Sequence, residues 1–348
     1  MTKRAVVLFN LGGPDRIDAV EPFLFNLFND PGVIRLPAWL RWPVARTIAR
    51  RRLPVARAIF EKLGGGSPLL PNTRAQVAAL EARLGADYRI VVAMRYWYPF
   101  AAEAVTEIKA SGAEEILLLP LYPQLSTTTT LSSLGDWHRA AARAGLRLPT
   151  KAICCYPEAP GFIAAIAEEI RVLLRQWRSP EPKRILFSAH GLPKRIAASG
   201  DPYVSHVERT VAAIRRALAE ELAMPGLDTV LCYQSRVGPL KWIGPAIDDE
   251  IRRAGADNIG IMVVPVAFVS EHSETLVELD IEFKHLATRV GVPTYLRAST
   301  VGTNTSFIAA LAALVERGFA QTGPIESGAG GRLCPLSLRQ CPCRSAAA

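Results

Sequence analysis

No stretch of the chain approaches the roughly 18 consecutive apolar residues that a membrane-crossing helix needs, and the longer candidates, such as 261–269, are strand-sized. A transmembrane span is therefore not expected. Cysteine is sparse: Cys154, Cys155, Cys232, Cys334, Cys341 and Cys343 lack the spacing of a secreted disulfide framework, and a chain of 348 residues needs no such staples. A reducing cytoplasm is the compartment this implies. The phosphate-binding signatures are missing too. Gly64-Gly65-Gly66-Ser67-Pro68 has neither the lysine nor the spacing of a phosphate loop, and Leu11-Gly12-Gly13-Pro14 lacks the glycine spacing of a dinucleotide fingerprint. Both glycine runs read either as close backbone approaches to a flat ligand or as plain turns. Lys3 and Arg4 precede an apolar run at 5–11 as in a secretory leader, but the run is short and breaks at Gly12-Gly13-Pro14 without a cleavage site, so it is read as the first buried strand.

What is present is apolar enough to fold: 49% hydrophobic residues against 21% charged. The length implies two compact domains and room for a cleft. A net charge of +9 favours anionic partners without choosing among nucleic acid, an acidic membrane surface and a small acidic ligand. Much of the excess sits at 35–57, where arginines alternate with Trp39, Leu40, Trp42 and Pro43; this is either a solvated helical face or a rim that touches a membrane or an amphiphilic ligand.

Short branched apolar runs occur at 5–11, 89–94, 116–121, 151–155, 184–188, 229–233, 259–266 and 294–296, with helical patterns between them at 74–84, 101–109, 161–176, 206–222 and 244–253. Strands apolar on both faces alternating with helices predict an α/β architecture of parallel sheets flanked by helices. The halves echo one another. Asn10-Leu11-Gly12-Gly13-Pro14 parallels Ala189-His190-Gly191-Leu192-Pro193, and Leu119-Pro120-Leu121 parallels Val264-Pro265-Val266. The expected organisation is one lobe over 1–150, a second over 151–303, a helix over 304–320 and a mobile, glycine- and cysteine-containing tail over 321–348. In such sheets the ligand crevice lies beyond the carboxyl ends of the strands.

His190 stands where a buried strand gives way to a Gly-Leu-Pro turn, and imidazole suits proton acceptance or metal binding near neutrality. The segment 268–282 spaces Glu271, Glu274 and Glu278 by three and four residues, with Glu282 continuing the row, so a single helical face is expected. Like charges at that spacing oppose one another. A metal or proton-handling role accounts for the row, and a solvated acidic face is the alternative; carboxylate and imidazole are reasonable ligands for ferrous iron. Trp242, on a loop after a strand, either stacks on a planar ring or packs in the core. Arg95 and Tyr96 end another strand and enter the same crevice.

These segments together resemble the ferrochelatases, from residue 5 to about 283, most specifically at 187–193 with Gly200-Asp201-Pro202-Tyr203, at 233–245 and at 268–283. The resemblance implies two flavodoxin-like (chelatase) lobes holding a porphyrin edge-in, and a lyase that inserts ferrous iron into protoporphyrin IX, with release of two protons, as the last step of haem synthesis. It implies His190 facing the pyrrole nitrogens, Glu274 as its partner at the iron, and His272 and Glu278 on a proton or metal path. It also implies porphyrin contacts at Arg52 and Ser67, a pocket lined by Arg95, Tyr96 and Trp242, and a lip at 31–43. Phe60 stands where some relatives carry tyrosine. Nucleic acid is not an expected partner. The chain is placed in the cytoplasm, with peripheral contact at the inner membrane face.

No cofactor is required for iron insertion. Some ferrochelatases hold a 2Fe-2S cluster on one internal cysteine and three near the carboxyl end, and Cys334, Cys341 and Cys343 fit in part, with Cys154, Cys155 or Cys232 open as the fourth ligand. Against it, Ser337 replaces an expected cysteine and 126–128 has none. Two rival readings remain: a tetrapyrrole or metal carrier, which needs no proton path, and a cobalt chelatase of the same fold.

Overall fold

The computed structural model describes residues 4–343 apart from Val237 and Pro239. Lys3, those two residues of the 233–245 loop and the last five residues of the tail lie outside the described residues. The chain forms two compact units, Met1–Tyr156 with Leu311–Leu333 and Cys341–Ala348, and Pro157–Ala310 with Cys334–Gln340.

In the first unit β1 (Arg4–Asn10) leads to α1 (Val20–Phe28), α2 (Ala38–Lys62) and α3 (Leu69–Leu84), followed by β2 (Tyr88–Met94), α4 (Ala101–Ser111), β3 (Glu115–Pro120), α5 (Thr130–Arg143) and β4 (Thr150–Ile153). In the second, α6 (Pro160–Gln176) precedes β5 (Lys183–His190), α7 (Lys194–Ala197), α8 (Tyr203–Ala217), α9 (Ala219–Leu222), β6 (Leu227–Gln234), α10 (Ile247–Ala256), β7 (Gly260–Pro265), α11 (Ser273–Leu276), a π-helical turn (Glu278–Phe283), α12 (Lys284–Arg289) and β8 (Tyr295–Arg297). Then α13 (Thr305–Ala320) and β9 (Ile325–Glu326) close the chain.

All the strand pairs are parallel, in the orders β2-β1-β3-β4-β9 and β6-β5-β7-β8. Strands covered on both faces must be apolar throughout, and Val6, Val7 and Leu8 of β1, like Met262, Val263 and Val264 of β7, are buried. The strand register sets His190 beside Gln234 at the carboxyl end of the second sheet. That edge is where ligands meet open α/β sheets.

Three placements differ from expectation. Residues 151–155 belong to the first unit, because β4 pairs with β3. The start of the tail joins that unit's sheet, where β9 pairs with β4 and Gln321 Nε2 donates to the Ala152 carbonyl at 3.2 Å, while Cys334–Gln340 belongs to the second unit. The pattern at 206–222 is two helices, broken at Leu218. No helix among the described residues is long and apolar enough to cross a membrane.

Candidate active site

His190 ends β5 with its ring beyond the sheet edge. Its Nε2 lies 3.4 Å from Oε1 of Glu274, and its Nδ1 lies 2.6 Å from the Gly191 carbonyl oxygen. Glu274, in the single turn of α11, turns its other oxygen to His272, whose Nε2 is 3.5 Å from Oε2. One carboxylate therefore sits between two imidazoles. The Phe268 ring flanks both, 6.5 Å from the His190 ring and 4.7 Å from that of His272.

The charges of this group are strongly linked. Burial disfavours the His190 cation, but the Glu274 charge and hydrogen bond, with the Gly191 carbonyl, outweigh it and raise the imidazole to about 9. Burial likewise opposes the Glu274 carboxylate, and His190 and then His272 reverse the balance, holding its carboxyl well below the usual range. At neutral pH the pair thus carries one proton, on His190.

Glu278 differs. Burial, followed by the Glu274 charge, raises its carboxyl despite three donors: the Ser235 backbone N–H at 2.7 Å, the Ser235 hydroxyl at 2.5 Å and Gln234 Nε2 at 3.0 Å. Gln234 also donates to the Glu274 carbonyl at 2.8 Å and accepts from the Ser188 hydroxyl at 2.7 Å. Ser235 adopts a left-handed φ of 60°, which aims its N–H and hydroxyl at the same carboxylate. Gln234 and Ser235 lie in the 233–245 stretch that resembles the family, though neither is singled out there; the signal that finds them is register, since Gln234 pairs with His190 across the sheet.

The expected four-glutamate face does not form. Glu271 precedes α11 and is drawn to Arg297, 2.6 Å away, and to the Thr300 N–H at 2.9 Å, while Asp280 pairs with the same guanidinium at 2.5 Å. The π-helical turn then rotates the succeeding residues away from ideal helical spacing, and Glu282 is exposed. Only Glu274 and Glu278 remain in one polar cluster.

Trp242 packs against the turn after His190: a Cβ on Gly191 would stand 3.2 Å from its ring, and its indole N–H is buried with no hydrogen-bond partner among the described residues.

The remaining sequence-selected residues belong to the first unit. Arg95 follows β2 with Nε 2.6 Å from the Ser132 hydroxyl and a terminal nitrogen 3.1 Å from Oδ2 of Asp30. The Tyr96 hydroxyl donates to the same Asp30 oxygen at 2.7 Å, and Ser132 donates to it as well. Asp30 is 2% exposed and Tyr96 0%. Tyr96 is therefore enclosed and closed to direct contact with a ligand. Asp30 carries no motif in the sequence and was missed. Ser67 pairs with the other glycine turn, its N–H donating to the Pro14 carbonyl at 2.7 Å, and a Cβ on Gly13 would fall 2.5 Å from its hydroxyl oxygen. The two glycine runs thus serve close approach to each other. Arg52 is half-buried on α2, which lowers its pKa.

The cysteines divide. Cys154, Cys155 and Cys343 share a buried cluster with Leu125, and Cys341 packs against it. The Cys154 sulfur is 3.4 Å from that of Cys155 and 3.3 Å from that of Cys343. Hydrogen bonding to Cys155 and burial push the Cys154 thiol well up. Cys232 is buried in the second sheet with its thiol toward the Phe187 carbonyl, and Cys334 Sγ lies 3.2 Å from His206 Nε2 in the second unit. Among the described residues no group of three or more His, Cys, Asp or Glu is arranged to hold a metal ion.

Comparison with known proteins adds to this geometry. The Ferrochelatase family model matches residues 3–319. The chain is 48% identical to the ferrochelatase of Caulobacter vibrioides over 99% of each chain, and 50% identical to that of Phenylobacterium zucineum, covering 99% of this chain and 98% of the other. Among solved structures it is similar to SirB from Bacillus subtilis with Fe3+, at a TM-score of 0.52 and 14% identity, with 89% of this chain and 93% of that one covered; this likeness bears on the fold alone.

Proposed function

The chain belongs to the ferrochelatase family, and from that premise we propose that His190 and Glu274 carry its insertion of ferrous iron into a porphyrin. Iron insertion for haem biosynthesis is the reaction of this lyase. The observation that supports the assignment is one carboxylate held between two imidazoles, 3.4 and 3.5 Å away, at the carboxyl edge of a parallel sheet.

The reaction exchanges two pyrrole N–H protons for one dication. A flat free-base ring keeps its nitrogen lone pairs in plane, so a pocket that bends the ring exposes them and applies binding energy to distortion. Ferrous iron, the substrate ion, reaching Glu274 takes over as counter-charge to the carboxylate, and the proton His190 carried leaves to solvent, the first of the two that the reaction releases. The imidazole, now neutral, takes a pyrrole proton through Nε2. His272 and Glu278 stand next in line, and Glu278, with its raised pKa, is suited to accept and release the second proton. Porphyrin contact is proposed for Arg52, Ser67, Arg95 and Trp242, with Tyr96 behind Arg95 through their shared Asp30. Protoporphyrin IX is the porphyrin; steady-state comparison with coproporphyrin tests that choice, and a preference for the latter reverses it. His190→Ala and Glu274→Gln are each expected to abolish most insertion without unfolding, followed by loss of porphyrin fluorescence, and retained turnover in both removes the site.

Cys154, Cys155, Cys341 and Cys343 gather in an apolar surround and are the residue type a 2Fe-2S cluster takes. As placed, no three of them are arranged to hold a metal ion, so a cluster there requires them to rearrange, and Cys334 lies instead against His206. Bound there, the cluster would supply a redox-active link between β4 and the carboxyl-terminal segment. Cys232 belongs to the second unit's sheet, with its thiol toward the Phe187 carbonyl. Iron and acid-labile sulfide in anaerobically purified protein, with visible absorption lost in Cys154→Ser and Cys155→Ser together, is the expected result.

The outer face of α2 supports peripheral contact with an anionic membrane. Trp39 is 74% exposed, Leu36, Leu40, Trp42 and Val44 are exposed with it, and Arg46, Arg50 and Arg51 come after them on the helix. Such contact would keep the chain in the cytoplasm at the inner membrane face. Sedimentation with phosphatidylglycerol vesicles, weakened by Trp39→Ser and absent with phosphatidylcholine, is the expected outcome.

A further inference from the structure

The turn Gly200-Asp201-Pro202-Tyr203 has no part in the chemistry so far. Asp201 Oδ1 accepts the Tyr203 backbone N–H at 2.9 Å, an Asx turn just ahead of α8. The Tyr203 hydroxyl then donates to the carbonyl oxygen of His190 at 3.0 Å. At the other end of the same peptide, the Gly191 N–H donates to the Gln234 carbonyl at 2.8 Å. The peptide joining His190 to Gly191 is thus held at both polar ends. The next carbonyl, that of Gly191, is the group 2.6 Å from His190 Nδ1. Slack is minimal, since a Cβ on Gly191 would come within 2.8 Å of the Gln234 oxygen.

We propose that Tyr203 is a positioning residue for His190, and that the carboxyl-terminal segment Cys334–Gln340 braces it from behind. By fixing the peptide, Tyr203 keeps the Gly191 carbonyl where it accepts the Nδ1 proton, which leaves Nε2 directed at Glu274. Which ring nitrogen is engaged is set by the hydrogen bond the other makes. The brace has two ends. Gln340 donates through its backbone N–H to the Gly200 carbonyl at 3.3 Å and through Nε2 to the Ser199 carbonyl at 3.4 Å, and Gly200, at φ 87°, leaves room for the segment, a Cβ there standing 3.1 Å from the Arg339 nitrogen. At the other end Cys334 Sγ meets His206 Nε2 at 3.2 Å, one turn along α8 from Tyr203. His206 is fully buried.

The inference rests on the reading of His190 as the residue that faces the pyrrole nitrogens, and its test separates the two. Tyr203→Phe in the full chain keeps the ring and removes the hydroxyl. The expected result is a kcat for metal insertion lowered roughly ten- to a hundredfold, with KM for porphyrin within about twofold of the parent. In the proton NMR spectrum of the metal-free protein, the downfield Nδ1–H signal of His190, assigned by its loss in His190→Ala, moves upfield or broadens away. An unchanged signal, or a parental kcat, overturns the role of Tyr203. A lowered melting temperature with an unmoved signal marks a merely structural residue and overturns it equally. His206→Gln is expected to give a smaller change of the same kind, and an unmoved signal there removes the brace. If His190→Ala retains turnover, the site reading fails, while the NMR signal still decides whether Tyr203 orients the ring.

Discussion

The two sheets share one strand order, β2-β1-β3-β4 matching β6-β5-β7-β8, so corresponding strand ends can be compared residue by residue. At the end of β1 stands Asn10, which is buried and donates to the Thr73 hydroxyl at 2.9 Å; at the end of β5 stands His190, which faces Glu274. After β2 comes Arg95, locked to Asp30 and Ser132; after β6 comes Ser235, which serves Glu278. The first unit closes its polar groups on one another. The second leaves a proton shared between ionisable partners at its edge. The same strand order thus carries closed polar contacts in one place and a carboxylate between two imidazoles in the other, and side-chain type at the strand ends makes the difference.

Breaking the active half of the comparison gives the largest effect: His190→Ala and Glu274→Gln should each lower kcat/KM by about 10²- to 10⁴-fold, the range of general acid–base catalysis, read in a continuous fluorescence assay. Breaking the closed half acts on stability. Asp30→Ala strands the Arg95 guanidinium and should cost about 3–5 kcal/mol in denaturant unfolding, as for a buried ion pair that loses one partner. The pH dependence distinguishes the halves further. Because the His190 pKa is raised, its pairing stabilises the fold fully below the ordinary value of 6.5 and loses that contribution as pH climbs through about 9. Glu274, with its depressed pKa, contributes above its ordinary value of 4.5 and loses its contribution only as pH falls through the lowered one. The melting temperature of the parent should therefore fall between neutral pH and about 9, and Glu274→Gln should flatten that interval. The smallest effect belongs to a pair outside both sites: Arg89→Ala removes an exposed contact with Glu107 at 2.5 Å and should change stability by at most about 1 kcal/mol.

The sequence discloses these halves unequally. The strands and their parallel arrangement are legible from apolar runs ending at polar turns, one of which sets His190 at the carboxyl end of its strand. The glutamate row was misread because spacing alone assumes an ideal helix, whereas Arg297 draws Glu271 and Asp280 aside and the chain passes into a π-helical turn. Asp30 could not be found from spacing, since its partner Tyr96 is 66 residues distant. The 25-residue α2 falls where the sequence leaves 35–57 open between a helical face and a rim; Pro43 and Pro54 within it are both exposed, so each removes one backbone bond without displacing core.

The two-residue β9 lies along β4 at what is otherwise the rim of the first sheet. A bare rim of that kind presents free amides and carbonyls to any neighbouring strand and invites intermolecular zippering. Shortening the chain to remove 321–348 would therefore bring on self-association as well as take away the brace behind Tyr203, and β9 acts as a guard on solubility.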